Sequence, residues 1–528
     1  MKEKEEIVGE QGKDRIQQLR EVKEKAKLGG GPNKIEEVHN AGKLTARERI
    51  DKLLDPGSFV ELNMLLGHAE GMPGDGLVCG YGTVAGRTVC IYSQDTTVKG
   101  GSIGKWHGYK MYCTVERALD MRVPFIGLHD SPGARLPRVE EKKGVMGDML
   151  EKNGGSIFYP NTQGSGVIPQ ISAILGSCAG ISVYSPALTD FIFMIDKKSH
   201  MFITGPLMVK SVMSEDITAE QLGGAEVHCK VSGVADMRLA NEEECLSRIK
   251  ELLSYLPLNN EEMPPEAEPD LSTPDINENL AQLVPPNPRR AYDIRKVIEA
   301  IVDHGKYFEI KPEYAREITV GFCRIKGKVV GMIANNPLYM AGSMTANSSD
   351  KQARFIRFCD CFNIPIVLLV DTPAYMPGSA QEHGGIIRHG AKVLYALCEA
   401  TVPRIGIMLS KAYGGGNLGM GVIPGMGTDL IYCWPTMEMG VLGAEQSVEL
   451  FYGAEIKKAE NGEKMRAAKL KEYQDTYANP IYAASSLWHI SDVIEPAETR
   501  LTIVNALKYL ATKKRDKGIP KRHGNIPL

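Results

Sequence analysis

What the sequence lacks narrows its function. None of its eleven cysteines falls in a CxxC pair, and Cys359 and Cys361 flank a single residue, too close for the usual zinc spacing. An odd, scattered set reads as reduced thiols packed as small apolar groups in a cytoplasmic protein, with no disulfide framework and no metal site. There is no GxSxG elbow, no HExxH pair and no GxxxxGK[ST] loop, so three common hydrolase and nucleotide-binding signatures are missing. No run approaches the roughly 20 apolar residues of a membrane span; Ile364 to Val370 has only strand length. The opening stretch is charged throughout, so no secretory signal is expected. Net charge is −3, which draws the chain as a whole to neither nucleic acid nor an anionic membrane.

What is present is ordinary globular composition: 43% hydrophobic and 24% charged residues in a chain of 528. At roughly 100–200 residues per domain, two large domains fit that length. Ile16, Leu19, Val22 and Ala26 recur at helical spacing within Asp14 to Lys27, predicting an amphipathic surface helix that stops at Gly29-Gly30-Gly31-Pro32. A second helix is predicted from Thr45 to Leu54, with Thr45 as N-cap and Glu48 completing a capping box. Residues 259–288 are acidic and proline-rich and read as a linker unable to form a compact core segment. This divides the chain into domains at 1–258 and 289–528.

The two halves repeat the same features in the same order. Strand signals follow Gly57 (GSFVEL) and Gly305 (GKYFEI). Hairpin-like pairs surround Gly86 and Gly327. Buried strands then end at Asp130-Ser131-Pro132 and Asp371-Thr372-Pro373, and IPQISAILGSCAGIS from Ile168 matches VPRIGIMLSKAYGGGN from Val402. Such ordered matches point to duplication of an α/β unit whose ligands gather at strand C-terminal ends.

The turns after those strands suggest the chemistry. Gly176 to Ile181, including Cys178, Ala179 and Gly180, joins an apolar strand to a helix-like stretch, and Tyr413 to Asn417 repeats the device with Gly415 and Gly416. Amide N–H groups at a helix start have no intrahelical partner and can bind a developing oxyanion. The upstream turns, with Gly133 and Ala134 after Ser131-Pro132 and with Ala374 and Tyr375 after Pro373, can supply the second donor of each pair. Two such holes suit a reaction in which two carbonyl groups carry negative charge. Arg135 is a candidate for a phosphate contact or a structural ion pair. His107, His129 and His383 read as hydrogen-bonded structural residues.

These stretches resemble the biotin-dependent carboxyltransferase family, above all the propionyl-CoA carboxylase β and methylmalonyl-CoA decarboxylase α subunits. The resemblance rests on Ala41 to Glu61, Ser165 to Gly180, Tyr184 to Met194, Met201 to Pro206, Gly378 to Lys392, Lys411 to Gly416 and the closing HGNIPL. It implies a crotonase-like ββα superhelix duplicated in two domains. The first domain would bind acyl-CoA and the second biotin, with active sites formed between domains of different subunits in a hexamer built as three dimers. It implies that Gly180 and Ile181 hold a thioester enolate, that Gly415 and Gly416 hold the biotin ureido oxygen, and that Ser131, Cys178, Ala179, Asn417 and Leu418 line the substrates. Biotin would arrive on a separate carrier protein, since the chain has no AMKM-type biotinylation segment, and a biotin carboxylase or a membrane decarboxylase subunit would complete the complex.

Five departures from the family pattern stand out. Ile181 replaces a glycine, which would narrow or reshape the first site. Pro132 replaces a glycine, and the segment following Arg135 differs. Pro-Ala-Tyr replaces Pro-Gly-Phe at residues 373–375. Asn417-Leu418-Gly419-Met420 is similar to methylcrotonyl-CoA carboxylases, which makes a vinylogous substrate such as crotonyl- or glutaconyl-CoA an alternative. A glutaconyl-CoA or methylmalonyl-CoA decarboxylase α subunit feeding a sodium-pumping membrane complex is the alternative to a soluble carboxylase. A plain crotonase-like hydrolase or a silent scaffold would leave the second set of turns without a purpose.

Overall fold

A computed structural model describes residues 2–135, 157–513 and 523–527, with side chains from residue 14 onward. The divergent segment after Arg135 and most of the basic stretch from Lys513 to Arg522 lie outside the described residues. The chain forms two compact units, Met1–Asn260 and Glu261–Leu528.

The first unit is built on an eight-stranded sheet. Its strands are β1 (Val60–Glu61), β2 (Leu77–Val84), β3 (Arg87–Gln94), β4 (Phe125–Ser131), β5 (Gln170–Ala179), β6 (Phe191–Ile195), β7 (His200–Phe202) and β8 (Met237–Leu239). Their order is β1-β2-β3-β4-β5-β6-β8, with β7 alongside β5. The second unit repeats it with β9 (Tyr307–Ile310), β10 (Ile318–Ile325), β11 (Lys328–Asn335), β12 (Ile366–Thr372), β13 (Arg404–Tyr413), β14 (Leu430–Cys433), β15 (Glu438–Gly440) and β16 (Asp492–Val493). The order is β9-β10-β11-β12-β13-β14-β16, with β15 alongside β13. In each unit the first three strands pair antiparallel and the rest parallel. The duplication expected from sequence is therefore present strand for strand, and two parallel-rich α/β sheets of this order fit the crotonase-like fold.

Local chemistry explains the elements. Every residue of β4, β5, β12 and β13 is buried or nearly so, as expected for parallel strands covered on both faces. Each hairpin turns through two residues of positive φ, Ala85-Gly86 and Lys326-Gly327, the geometry that matches strand twist. A carboxylate secures each turn: Asp55 accepts from the Ala85 and Gly86 amides, and Asp303 from those of Lys326 and Gly327. Thr45 caps the helix Ala46–Leu53, and Glu48 returns the bond to the Thr45 amide at 2.7 Å, completing the capping box. The first helix extends over Lys2–Lys27, and its Ile16 and Leu19 stay exposed while Ala26 is buried.

One expectation fails. The acidic, proline-rich stretch does contribute to a core: Leu280 and Val284 are buried among Ile294, Ile298, Val330 and Ile503 in the second unit. Composition concealed this because two apolar anchors among many polar residues suffice to dock a strap. Asn277 donates to the Ala497 carbonyl and Ala267 to that of Gly327, which satisfies backbone groups without a strand.

His107 and His129 are fully buried, and burial drives both down to about 3. Both are thus neutral when folded and protonate near the ordinary histidine value, about 6.5, only when unfolded. The unfolded chain binds the extra protons, so this contribution to stability is complete above about pH 6.5 and is lost as pH falls toward 3. Urea denaturation from pH 7 to 4.5 is expected to show a falling midpoint, and His129→Asn is expected to flatten that slope.

Candidate active site

The turn at the end of β5 depends on a buried aspartate. Strands β4 and β5 run in register to His129↔Ile174 and resume at Ser131↔Cys178, so β5 carries two extra residues. Asp130 fills the gap: its Oδ1 accepts from the Ser177 amide at 3.3 Å. Its other oxygen meets Lys43 at 3.0 Å and Arg49 at 3.1 Å, and Arg49 also grips Glu242. A Cβ at Gly176 would come within 2.0 Å of Asp130 Oδ1, so only glycine admits this approach.

The second unit uses the same device. Register breaks between Val370↔Met408 and Thr372↔Ala412. Asp371 Oδ1 accepts from the Lys411 amide at 3.2 Å, lies 2.6 Å from Lys411 Nζ, and the Tyr292 hydroxyl donates to Oδ2 at 2.9 Å. Burial raises the Asp371 carboxyl above its usual range, against the lowering effect of Lys411.

Past each bulge the strand enters a short helix, Gly180–Val183 or Gly414–Gly419. The registers pair Cys178 with Ala412 across the duplication, and hence Gly180 with Gly414. Both glycines have left-handed φ, +63° and +47°. The amides of Gly180 and Ile181, and of Gly414 and Gly415, occupy first-turn positions that no intrahelical carbonyl reaches. The neighbouring turns complete the pattern. Ile103 donates to the Gly133 carbonyl and accepts from the Arg135 amide, and Met344 does the same with Ala374 and Met376. These bridges leave the Ala134 and Tyr375 amides directed the other way, and neither has a partner among the described residues.

The candidates from sequence sit in different surroundings. The Gly133 amide donates to Ser131 Oγ at 3.2 Å, so within that turn Ala134 carries the free donor, and Ser131 is fully buried. Cys178 is fully buried against Ile174, Met194 and Met201, donates to the Ser182 carbonyl, and burial pushes its thiol up to about 12. It packs the core. Arg135 is an ion-pair residue: Nη1 lies 2.5 Å from Asp75, while Nε and Nη2 bond Ser102. The Ile181 side chain is partly buried and packs against the Met111 and Phe125 core. In the second unit the symmetric pair is Gly414 and Gly415, one residue earlier than Gly415 and Gly416. Gly415 is exposed, whereas Gly416 is buried against Thr372 and Ala374. Asn417 is buried, and its Nδ2 donates to the Ala412 carbonyl at 2.6 Å, tying the helix to its strand. Leu418 is partly exposed and Ala179 half-buried. The pairing of Gly180 with Gly414 was readable from the IPQ and VPR alignment; the burial of Ser131 and Cys178 was not, because sequence does not reveal which way a bulge turns a side chain.

His107 bonds the Asp75 carbonyl and Gln94, and His129 bonds Ser172, so both are structural, while His383 is exposed. Among the described residues no cluster of three or more His, Cys, Asp or Glu is placed to hold a metal ion. No described helix is long and apolar enough to cross a membrane. Each unit thus offers two amide-bearing turns able to stabilise an oxyanion, with every nearby carboxylate already paired.

Glycine at 414 is expected to be less replaceable than glycine at 180. A Cβ at Gly180 meets nothing nearer than 3.9 Å, whereas one at Gly414 would come within 2.6 Å of the Val441 carbonyl. Gly180→Ala should cost about 1–2 kcal/mol in backbone strain, and Gly414→Ala visibly more, as read by chemical denaturation. Asp130→Ala leaves Arg49 and Lys43 short of a counter-charge and should destabilise by about 3–5 kcal/mol in the same measurement.

Comparison with known proteins gives a consistent result. The model of the carboxyl transferase domain family matches residues 37–526. The chain is 45% identical to a propionyl-CoA carboxylase carboxyltransferase subunit of Haloferax mediterranei, covering 98% of this chain and 99% of the relative. It is 46% identical to the methylmalonyl-CoA decarboxylase α subunit of Veillonella parvula, again over 98% and 99%. Among solved structures it is similar to a transcarboxylase 12S hexamer core with methylmalonyl-CoA bound, at 45% identity and a TM-score of 0.91, covering 97% of this chain and 98% of that one.

Proposed function

This chain belongs to the carboxyl transferase domain family, and on that footing we propose that it moves a carboxyl group between carrier-borne biotin and a short acyl-CoA. The observation that carries the reading is the duplicated pair of amide-bearing turns, one pair in each unit. The donor chemistry fits both reactants. The Ala134, Gly180 and Ile181 amides suit a thioester oxygen as the acyl-CoA takes on enolate character. The Tyr375, Gly414 and Gly415 amides suit the ureido oxygen of biotin. When docked, biotin supplies the carboxyl group and the proton acceptor.

The protein's own part is electrostatic and geometric. Fixed N–H donors aimed at developing charge need no reorganisation during reaction, and one such donor is worth about 2.7–4 kcal/mol. Side chains near the turns are not free to act as bases. Asp130 and Asp371 are held in ion pairs, His129 is kept neutral by burial, and Cys178 is kept protonated. This matches a division of labour in which the cofactor does the covalent chemistry and the protein orients it.

The relatives at 44–46% identity are named for propionyl-, methylmalonyl- and, in one case, acetyl-/propionyl-CoA, which favours α-carbon chemistry over the vinylogous alternative for this chain. The direction, carboxylation or decarboxylation, is set by the partner that loads or unloads the biotin carrier. A homo-oligomer, a hexamer after the pattern of the transcarboxylase 12S core, and a cytoplasmic setting complete the proposal.

The pure protein, mixed with free biotin and a panel of malonyl-, methylmalonyl-, glutaconyl- and 3-methylglutaconyl-CoA, is expected to release CO2 from methylmalonyl-CoA only when biotin is present. Preferential turnover of glutaconyl-CoA would reverse the substrate assignment. Failure on all four, repeated with a biotinylated carrier domain, would reject the reaction class. Gly415→Pro removes one donor at a first-turn position where proline is tolerated. It should lower kcat roughly 10²–10³-fold, whereas Gly415→Ala keeps the amide and should cost far less.

A further inference from the structure

The two sets of donors are not anchored alike. In the first unit the short helix Gly180–Val183 is held from its own strand, where Ser182 Oγ donates to the Ala179 carbonyl at 2.7 Å and Cys178 Sγ to the Ser182 carbonyl at 3.2 Å. In the second, Gly414–Gly419 is also held from a neighbouring helix. Gln352, on the helix Ala346–Cys361, donates from Nε2 to the Gly419 carbonyl at 2.8 Å. Gln352 is fully buried, yet its Oε1 has no partner. The aligned position in the first unit is Met111, part of an apolar core. A buried amide there is therefore a feature of the second unit alone.

A second polar atom lies against the same glycine. The Tyr375 hydroxyl is buried and makes no hydrogen bond of good geometry; the Ser349 hydroxyl faces it but donates its own proton to the Thr345 carbonyl. A Cβ at Gly419 would come within 2.7 Å of it and within 2.6 Å of Met344 Sδ, and Met344 is the residue bridged to the Tyr375 backbone. The Tyr375 ring also passes beneath Gly415, 3.3 Å from an ideal Cβ there. One residue thus presents its amide to the proposed biotin site and threads its side chain under the helix that carries the other donors. Its hydroxyl ends at the anchor that Gln352 holds. A hydroxyl can donate and an amide oxygen can accept, so the two unsatisfied atoms are complementary. Buried polar groups of this kind are costly unless they work together.

We infer that Gln352 and the Tyr375 side chain form a polar latch that sets the spacing between the Tyr375 amide and the Gly414 and Gly415 amides. Both are positioning residues for the biotin-side oxyanion hole. The inference rests on the function proposed above for its kinetic consequence, but not for its structural one.

Two measurements on the full-length protein test it. Amide hydrogen exchange should speed up in a peptide covering residues 413–420 in Gln352→Met and in Tyr375→Phe, with no change in a peptide covering 179–185. Methionine is the residue the first unit tolerates at the aligned position, and a thermal melt checks that each variant folds. Unchanged exchange at 413–420 in both folded variants would overturn the latch, whatever the enzyme's reaction. In steady-state assays with free biotin, kcat/KM for biotin should fall about fivefold to tenfold in each single variant, while KM for the CoA ester stays within about twofold. The double variant should lose no more than the worse single one, because the two groups act as a unit. Equal losses for both substrates, or fully additive ones, would reduce both residues to general packing and reject the positioning role. Absence of biotin-dependent turnover in the unsubstituted protein would reject the proposed function and leave the exchange result to decide the latch.

Discussion

A peptide N–H at the end of a buried strand tends to be consumed by the next strand, and the arrangement of this protein depends on preventing that. A carboxylate does it in each unit. Asp130 and Asp371 sit where β5 and β13 carry two extra residues, and each takes up the amide the bulge would otherwise leave unpaired. The chain beyond is then free to turn into a short helix whose first amides stay exposed. Burying a carboxylate is expensive, and each is compensated locally: Lys43 and Arg49 around one, Lys411 and Tyr292 around the other. Strand bulge, ion pair and unpaired donors form a single device, used twice.

The two copies show what duplication conserves and what it releases. Strand order, bulge position, turn conformation and the bridges from Ile103 and Met344 are common to both. The supports differ. In the first unit the aspartate is held by Lys43, just ahead of the helix Ala46–Leu53, and by Arg49 within it, and Arg49 is itself fixed by Glu242. In the second it is held by the lysine of the neighbouring strand, β13, and by the Tyr292 hydroxyl. The backbone geometry that creates the donors is the constrained part, while the side chains that brace it can be exchanged as long as charge and volume balance.

Much of this was legible in the sequence. Alternation of apolar strands with glycine turns, the Thr45–Glu48 pair and the parallel features of the two halves all survive as structure, because each rests on local rules of capping, hairpin geometry and burial. The candidate donors were found as turns, but the assignment of individual atoms was not. Ser131 and Cys178 are buried beside the turn, which a one-dimensional reading does not reveal. Of the two roles left open for Arg135, the ion pair is present, to Asp75, with Ser102 beside it. These outcomes depend on which side of a bulge a residue faces and on partners dozens of positions away. The proline-rich stretch misled for the opposite reason: Leu280 and Val284 are too few to shift its composition, yet enough to bury it.

That strap bears on how the second unit is assembled in time. Arg500, near the end of the chain, reaches Asp275, Asp303 and the Ile301 carbonyl across 197 to 225 positions. Leu280 and Val284 share a core with Ile503 and Leu507. The opening residues of the unit and its closing helix are mutual packing partners, so neither finds its place until the other has been made. Contacts of such long sequence separation slow folding. During synthesis the second unit must therefore wait, with the apolar faces of β12 and β13 incompletely covered, until translation has passed Leu507, and this interval is when the nascent chain is most exposed to aggregation.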